Sequence, residues 1–388
     1  MELQQLLAET AQRKASDLHL KSGSKPILRI HGHLEVQDDL PLITREFIDK
    51  TAEGLLGERR LRMLMEGREM DLGYMLPGIG RFRCNLFLAM GEVRGVFRHV
   101  PERIPLFQEL HLPKVLERLS MERRGMLLVT GITGSGKSTT LASMIDFMNR
   151  SRNDHIVTIE DPIEFVHDDW GCIVNQREVG LDTESYLEAL RRVLRQDPDV
   201  IVIGELRDSE TAETALQAAE SGHLVLSTMH TIDAAETVGR LIEFFPPSKQ
   251  FVIRQILAGV LRGVISQRLL PKRDGGRLAA VEVMVNTARI ADLIREPEKT
   301  EGLTDAIEEG GFHHMQSFSQ HLVQLVLDEQ VEFEVAATGA TNRHDFEIAV
   351  QQAVRAKNAA ANGTAQASDE SGDEEPEEES GALRLASQ

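Results

Sequence analysis

The chain has 388 residues, 41% of them hydrophobic, and a formal net charge of −19; that length suits two or more domains. The acidic balance repels the phosphates of DNA, so nucleic acid is not an expected partner. No apolar run approaches the roughly 20 residues that span a bilayer, and the start, Met1-Glu2-Leu3-Gln4-Gln5, lacks the basic and apolar segments of a signal peptide, so a cytoplasmic protein without direct membrane insertion is expected.

Residues 1–100 read as a small α+β domain. Strands are predicted over 17–20, 27–30 and 33–37, a helix over about 44–66, and two more strands over 80–88 and 92–100. The last two alternate with period two, as a half-buried antiparallel pair requires. Phe82, Cys84 and Leu86 share one face while Arg81, Arg83 and Asn85 share the other, and Arg94 and Arg98 share a face on the second strand. Pro101, Pro105 and Pro113 mark residues 101–115 as a linker.

From 116 to about 270 the pattern becomes α/β. Strands are predicted over 126–130, 155–159, 200–203 and 224–228, with helices after the first, over 185–195 and over 209–220. These strands are continuous apolar runs, the mark of a parallel sheet covered on both faces. Residues 271–355 read as mainly helical apart from 278–285. From 356 to 388 the chain has little to bury, and residues 368–380 hold eight carboxylates and no base, which predicts a disordered acidic tail. Cys84 and Cys172 are too few and too far apart for a zinc site and are expected to be small core residues.

Directly after the apolar run Met126-Leu127-Leu128-Val129, residues 131–138 read G-I-T-G-S-G-K-S, a complete phosphate-cradling loop. Gly131, Gly134 and Gly136 tolerate the positive φ and close approach that let backbone N–H groups converge on a polyphosphate. Thr133, Ser135 and Thr139 complete the candidate binding set. Lys137 would place its ammonium against the β- and γ-phosphates, and the Ser138 hydroxyl can ligate Mg²⁺. A helix begins at the same point, and its N-terminus favours anions. The chemistry indicated is that of a nucleoside triphosphate with Mg²⁺.

A second element is Asp199-Val200-Ile201-Val202-Ile203-Gly204-Glu205, an apolar strand that ends in an acid. Placed beside a phosphate loop, Glu205 would serve Mg²⁺ and the attacking water. A third, Ile159-Glu160-Asp161-Pro162-Ile163-Glu164-Phe165, gathers three acids after another strand. One of them, Glu164 being the choice, could orient water or the metal's hydration shell. His223 and His230 bracket a fourth strand; His230, at its C-terminal edge, could contact the γ-phosphate or a neighbouring carboxylate. Phosphoryl transfer also needs positive charge near the γ-phosphate, which Arg81, Arg83, Arg94 and Arg98 could supply from an adjacent domain or subunit, or Arg207 from its own.

Leu194-Arg195-Gln196-Asp197-Pro198-Asp199 through Gly204-Glu205-Leu206-Arg207-Asp208 resembles the signature of the type II secretion and type IV pilus ATPases. The acid cluster from Ile159 to Phe165 is similar to their aspartate box, and Gly222-His223 through His230 to their histidine box. The resemblance runs from Ala15-Ser16-Asp17-Leu18 to about residue 350. With no long extension before Ser16-Asp17-Leu18 and no tetracysteine motif, it points to the retraction branch, PilT and PilU. Gly171-Cys172-Ile173-Val174 to Gln176-Arg177-Glu178-Val179-Gly180, and Met315-Gln316-Ser317-Phe318, look more like PilU. Ala215 to Gly222 stands where PilT proteins typically carry Ala-Ile-Arg-Ala-Glu-Thr-Gly, which fits an accessory motor.

This resemblance implies a RecA-like P-loop ATPase domain preceded by a PAS-like domain and followed by a helical C-terminal region. It further implies ATP and Mg²⁺ as substrate and cofactor, and a homo-hexameric ring that holds ATP between subunits, possible mixing with a paralogous retraction ATPase included. The ring would work on an inner-membrane pilus platform protein, at the cytoplasmic face of that membrane, to drive or assist pilus retraction and twitching motility. A pilus-assembly or type II secretion ATPase is the alternative within the superfamily. A RecA-like nucleic-acid motor, disfavoured by the acidic balance, and a ring subunit that binds ATP without turnover are the alternatives of other classes; Lys137, Ser138, Glu164 and Glu205 argue against the latter.

Overall fold

The structure, a computed structural model, describes residues 2–30, 32–100 and 103–369, with side chains to residue 357. It begins with a helix the sequence reading did not anticipate, α1 (Leu3–Gln12), which buries Leu3, Leu6, Leu7 and Thr10 along one stripe. Strands β1 (Asp17–Lys21), β2 (Ile27–Ile30) and β3 (His33–Val36) follow, then α2 (Arg45–Met65), β4 (Met70–Leu76), β5 (Gly80–Ala89) and β6 (Glu92–Val100). The Thr44 hydroxyl caps α2 by accepting from the Phe47 N–H at 3.1 Å, and Gly57, at φ +65°, kinks the helix expected over about 44–66.

The six strands form one antiparallel sheet in the order β3-β2-β1-β6-β5-β4. Phe82, Cys84, Leu86, Phe97 and Leu18 fill its buried face, so the alternation read from β5 holds and Cys84 is a core residue. On the opposite face Arg83 of β5 pairs with Arg98 of β6, and Arg98 in turn with Asp17 of β1. This is the α+β arrangement that was expected, with one more strand. β4 escaped notice because Gly73 interrupts its run with a residue that strands disfavour.

The second sheet grows from α3 (Val115–Ser120), β7 (Gly125–Thr130), α4 (Lys137–Ser151), β8 (His155–Glu160), β9 (Ile173–Glu178), α5 (Tyr186–Val193), β10 (Val200–Ile203), α6 (Ser209–Glu220), β11 (Leu224–Met229), α7 (Ala234–Glu243), α8 (Pro247–Val260), β12 (Leu261–Pro271) and β13 (Arg277–Val285). Its order is β13-β12-β7-β11-β10-β8-β9, and the pairs from β12 to β9 are parallel. Alternate residues of each central strand enter separate cores. Met126, Leu128, Ile201 and Ile203 lie in one; Leu127, Val129, Val200 and Val202 lie in the other. That two-sided burial explains why these strands read as unbroken apolar runs.

Two strands correct the sequence reading. β9, I-V-N-Q-R-E, is a polar edge strand, and β12 follows α8 directly, Val260 ending the helix and Leu261 opening the strand with no loop between them. With β12 and β13 in the sheet, it continues to Val285 instead of ending near 270.

The described chain divides into two compact units. The first, residues 1–269 and 277–317, contains the elements above together with α9 (Ala288–Arg295) and α10 (Leu303–Glu308). The second, residues 270–276 and from 318 on, contains α11 (Phe318–Leu327), α12 (Phe333–Gly339) and α13 (Arg343–Asp369), with Phe333 stacked on Phe346 at 5.9 Å. α13 continues past the boundary expected at 356, through an Ala-rich stretch of high helix propensity. The rest of the expected acidic tail, from 370, lies outside the described residues. No described helix is long and apolar enough to cross a membrane.

Candidate active site

β7 is buried along its whole length and delivers the chain to Gly131, whose φ is +143°. A Cβ there would collide with the backbone carbonyl of Gln267 and sit 2.5 Å from the Ser135 hydroxyl, so only glycine fits. Gly134 and Gly136 follow at φ +80° and +93°. Gly136 occupies the N-cap of α4 and offers no side-chain cap, which leaves the first-turn N–H groups to an anion. Ile132, Thr133, Gly134 and Ser138 form the exposed rim, Thr139 is half-buried, and Ser135 and Lys137 lie beneath.

The Lys137 ammonium donates to the carbonyls of Gly131 at 2.6 Å and Ile132 at 3.1 Å. Burial lowers its pKa, and the negative charges of Glu205 and Glu164 act against that shift. The three motifs read separately from the sequence therefore share one electrostatic field.

Glu205 follows β10 with its side chain only 15% exposed. Its two oxygens are divided: Arg207 Nη2 lies 2.7 Å from one and His230 Nε2 3.1 Å from the other. β11 fixes this turn from the side, because the Thr228 hydroxyl donates to the Gly204 carbonyl at 2.7 Å and the Leu206 N–H donates to the Thr228 carbonyl at 3.0 Å. A Cβ on Gly204 would lie 2.9 Å from the Tyr186 hydroxyl. Burial pushes the Tyr186 pKa up, with Asp161 adding to the shift, so the phenol stays neutral against the acids around it. Tyr186 was missed from sequence; the glycine before Glu205 was the available signal that something packs against that turn.

The acid cluster separates into distinct roles. Glu160 accepts from the Thr158 hydroxyl at 2.6 Å and from Gln176 Nε2 at 3.0 Å, and burial raises its pKa. Burial raises Asp161 as well, against the pull of Arg207. Glu164 is the member whose charge reaches Lys137. His223 is set apart from the site: its Nδ1 lies 3.0 Å from the Ala218 carbonyl at the end of α6.

The arginines depart most from expectation. Arg81 turns inward to an ion pair with Glu178 of its own chain, and its Nε donates to the Ile163 carbonyl at 3.0 Å. That placement engages its guanidinium within its own chain. Arg98 Nε lies 2.8 Å from Asp17, a carboxylate only 5% exposed. Arg83 approaches Asp71 at 3.8 Å with both side chains 39% exposed, the loosest pair of the three. Glu178, missed from sequence, is 1% exposed.

The Ser138 hydroxyl and Glu205 carboxylate are hard oxygen donors of the kind Mg²⁺ takes, with phosphate oxygens and water completing its shell. Among the described residues no group of three or more His, Cys, Asp or Glu could hold a metal by itself.

A phosphate loop after one central strand of a parallel sheet, with an acid after β10 and a histidine after β11 facing it, defines a RecA-like P-loop ATPase. Residues 107–355 match the family described as Type II/IV secretion system protein, and the chain belongs to it. It is 44% identical over 326 residues to the type IV pilus retraction ATPase PilT of Pseudomonas aeruginosa, covering 84% of this chain and 94% of that one. It is 39% identical over 352 residues to the type IV pilus ATPase PilU of the same organism, covering 90% and 92%. The crystal structure of the pilus retraction motor PilT with bound ADP superposes with a TM-score of 0.83 at 41% identity, over 89% of this chain and 99% of that one. These relationships place the chain among the retraction ATPases. Identity is higher with PilT and overlap longer with PilU, so they do not single out the PilU type.

Proposed function

We propose that this chain is the ATP-hydrolysing subunit of a type IV pilus retraction motor, active as a homo-hexameric ring on a platform protein at the cytoplasmic face of the inner membrane. The observation that carries the reading is the phosphate loop itself, with Gly131, Gly134 and Gly136 at positive φ, the uncapped start of α4 and the Lys137 ammonium on the Gly131 carbonyl, in a chain 44% identical to a retraction ATPase. In this reading residues 1–100 are an N-terminal domain joined to the ATPase domain by residues 101–115.

Residues 131–139 bind the triphosphate, with the α4 N–H groups and the Lys137 ammonium meeting its negative oxygens. Ser138 and Glu205 would hold Mg²⁺, whose charge would offset that of the bound phosphates. Glu205 and Glu164 orient the attacking water. His230 and Arg207 hold the two Glu205 oxygens in place. Arg83, the most loosely paired of the predicted trans arginines, is the one we assign to the neighbouring subunit's γ-phosphate.

The test is pilus retraction in a strain lacking this chain, complemented with wild type or with Lys137→Ala. Loss of retraction restored only by wild type is expected. A deletion strain that no longer assembles pili would favour the assembly ATPase instead.

A further inference from the structure

Arg81 and Glu178 do more than neutralise one another. Arg81 lies on β5 of the N-terminal sheet, and Glu178 is the last residue of β9 in the ATPase sheet. Glu178 accepts from the Gly73 N–H of β4 at 2.9 Å with one oxygen, and from the Ile163 N–H at 3.2 Å with the oxygen that pairs with Arg81. Arg81 Nε donates to the Ile163 carbonyl at 3.0 Å. Both backbone polar groups of Ile163 are thus held by this one ion pair, and the held carbonyl belongs to the peptide that leads into Glu164. The pair is shielded, with side-chain exposures of 14% for Arg81 and 1% for Glu178. Gly73 completes the fit, since a Cβ there would collide with the Arg81 guanidinium.

We propose that Arg81 is a positioning residue for ATP hydrolysis acting in its own subunit, where the Arg81–Glu178 pair clamps Ile163 and so orients Glu164 toward Lys137 and the nucleotide. The proposal rests on hydrolysis at the phosphate loop, which wild-type turnover checks independently. It gives the N-terminal sheet a direct hold on the acid loop of the same chain, distinct from any arginine offered across a subunit boundary. Removing Arg81 strands a buried carboxylate and frees the Ile163 carbonyl; substituting lysine restores a cation to Glu178 without the planar fork that reaches both acceptors.

Full-length wild type, Arg81→Gln, Arg81→Lys and Glu205→Gln are compared for assembly, ATP affinity, kcat and KM. Arg81→Gln is expected to lose at least about tenfold in kcat with KM within about twofold, as for an interaction realised in turnover and not in binding, and Arg81→Lys to fall between it and wild type. Arg81→Gln and Glu205→Gln proteins are then mixed after subunit exchange is demonstrated. Action within the subunit predicts no activity above that of the separate variants, since the Arg81→Gln subunits keep a misplaced loop and the others lack Glu205. Recovery on mixing, a kcat for Arg81→Gln within twofold of wild type, or a loss of ATP affinity that accounts for the lost turnover would each overturn the proposal. Where Arg81→Gln fails to assemble, Arg81→Lys is carried through the same mixing. Wild-type protein that does not hydrolyse ATP would instead defeat the underlying reading.

Discussion

In the seven-stranded sheet the charges of the site stand at the C-terminal ends of the central strands, and the Lys137 ammonium rests on two backbone carbonyls, Gly131 and Ile132. In the six-stranded sheet they stand along a face, and Arg81 and Arg98 are committed to carboxylates 1% and 5% exposed. The first kind of contact can be exchanged for phosphate oxygens at little cost. The second cannot, because withdrawing the arginine leaves a buried charge unpaired. What would be stranded, more than exposure or charge, separates a cation held for a ligand from one held for the fold.

That contrast breaks if the two kinds of cation respond alike. Lys137→Ala is expected to weaken ATP binding by about a hundredfold or more through loss of the charge on the β- and γ-phosphates, with thermal unfolding little changed; isothermal titration and a melting curve read the two.

The next effect concerns His167, buried near the acid loop with Nδ1 unpartnered and its pKa lowered to about 4 by burial. The neutral ring is favoured in the folded state, so the unfolded chain binds more protons between these pH values. The stability His167 permits above its ordinary pKa of about 6.5 is therefore lost as the pH falls from 6.5 towards 4, by on the order of 3 kcal/mol at full extent. Denaturant unfolding of wild type and His167→Gln across that window should show the variant's dependence flattened.

Arg98→Ala should cost about 1–2 kcal/mol, discounted for its exposed side chain, because Asp17 keeps only the Ser16 hydroxyl at 2.8 Å and Arg29 at 3.9 Å. ATP affinity should stay as in wild type. Arg83→Ala should be smallest, within about 0.5 kcal/mol of wild-type stability, and any loss of turnover it shows would then be functional.

The legible parts were those set by neighbours in sequence. A phosphate loop needs particular residues at fixed spacing, so Gly131 to Ser138 could be read directly, and the period-two strands β5 and β6 declared their faces. Glu205 could be read because a strand's end lies where its apolar run stops. Tyr186, Glu178 and the inward turn of Arg81 were hidden because each depends on a partner far along the chain, Gly204, Gly73 and Ile163 among them. β9 and β12 were hidden for a different reason: one is a polar edge, and the other continues from a helix with no loop between them.

In the proposed reading Glu205 directs hydrolysis at a loop that binds ATP without it. Purified Glu205→Gln keeps the side chain's size and its contact with His230 but loses the carboxylate. The decisive measurement is ATP affinity and phosphate release on this variant beside wild type. ATP affinity within about threefold of wild type with phosphate release down at least about a hundredfold is the expected result. Phosphate release at the wild-type rate would contradict the assignment.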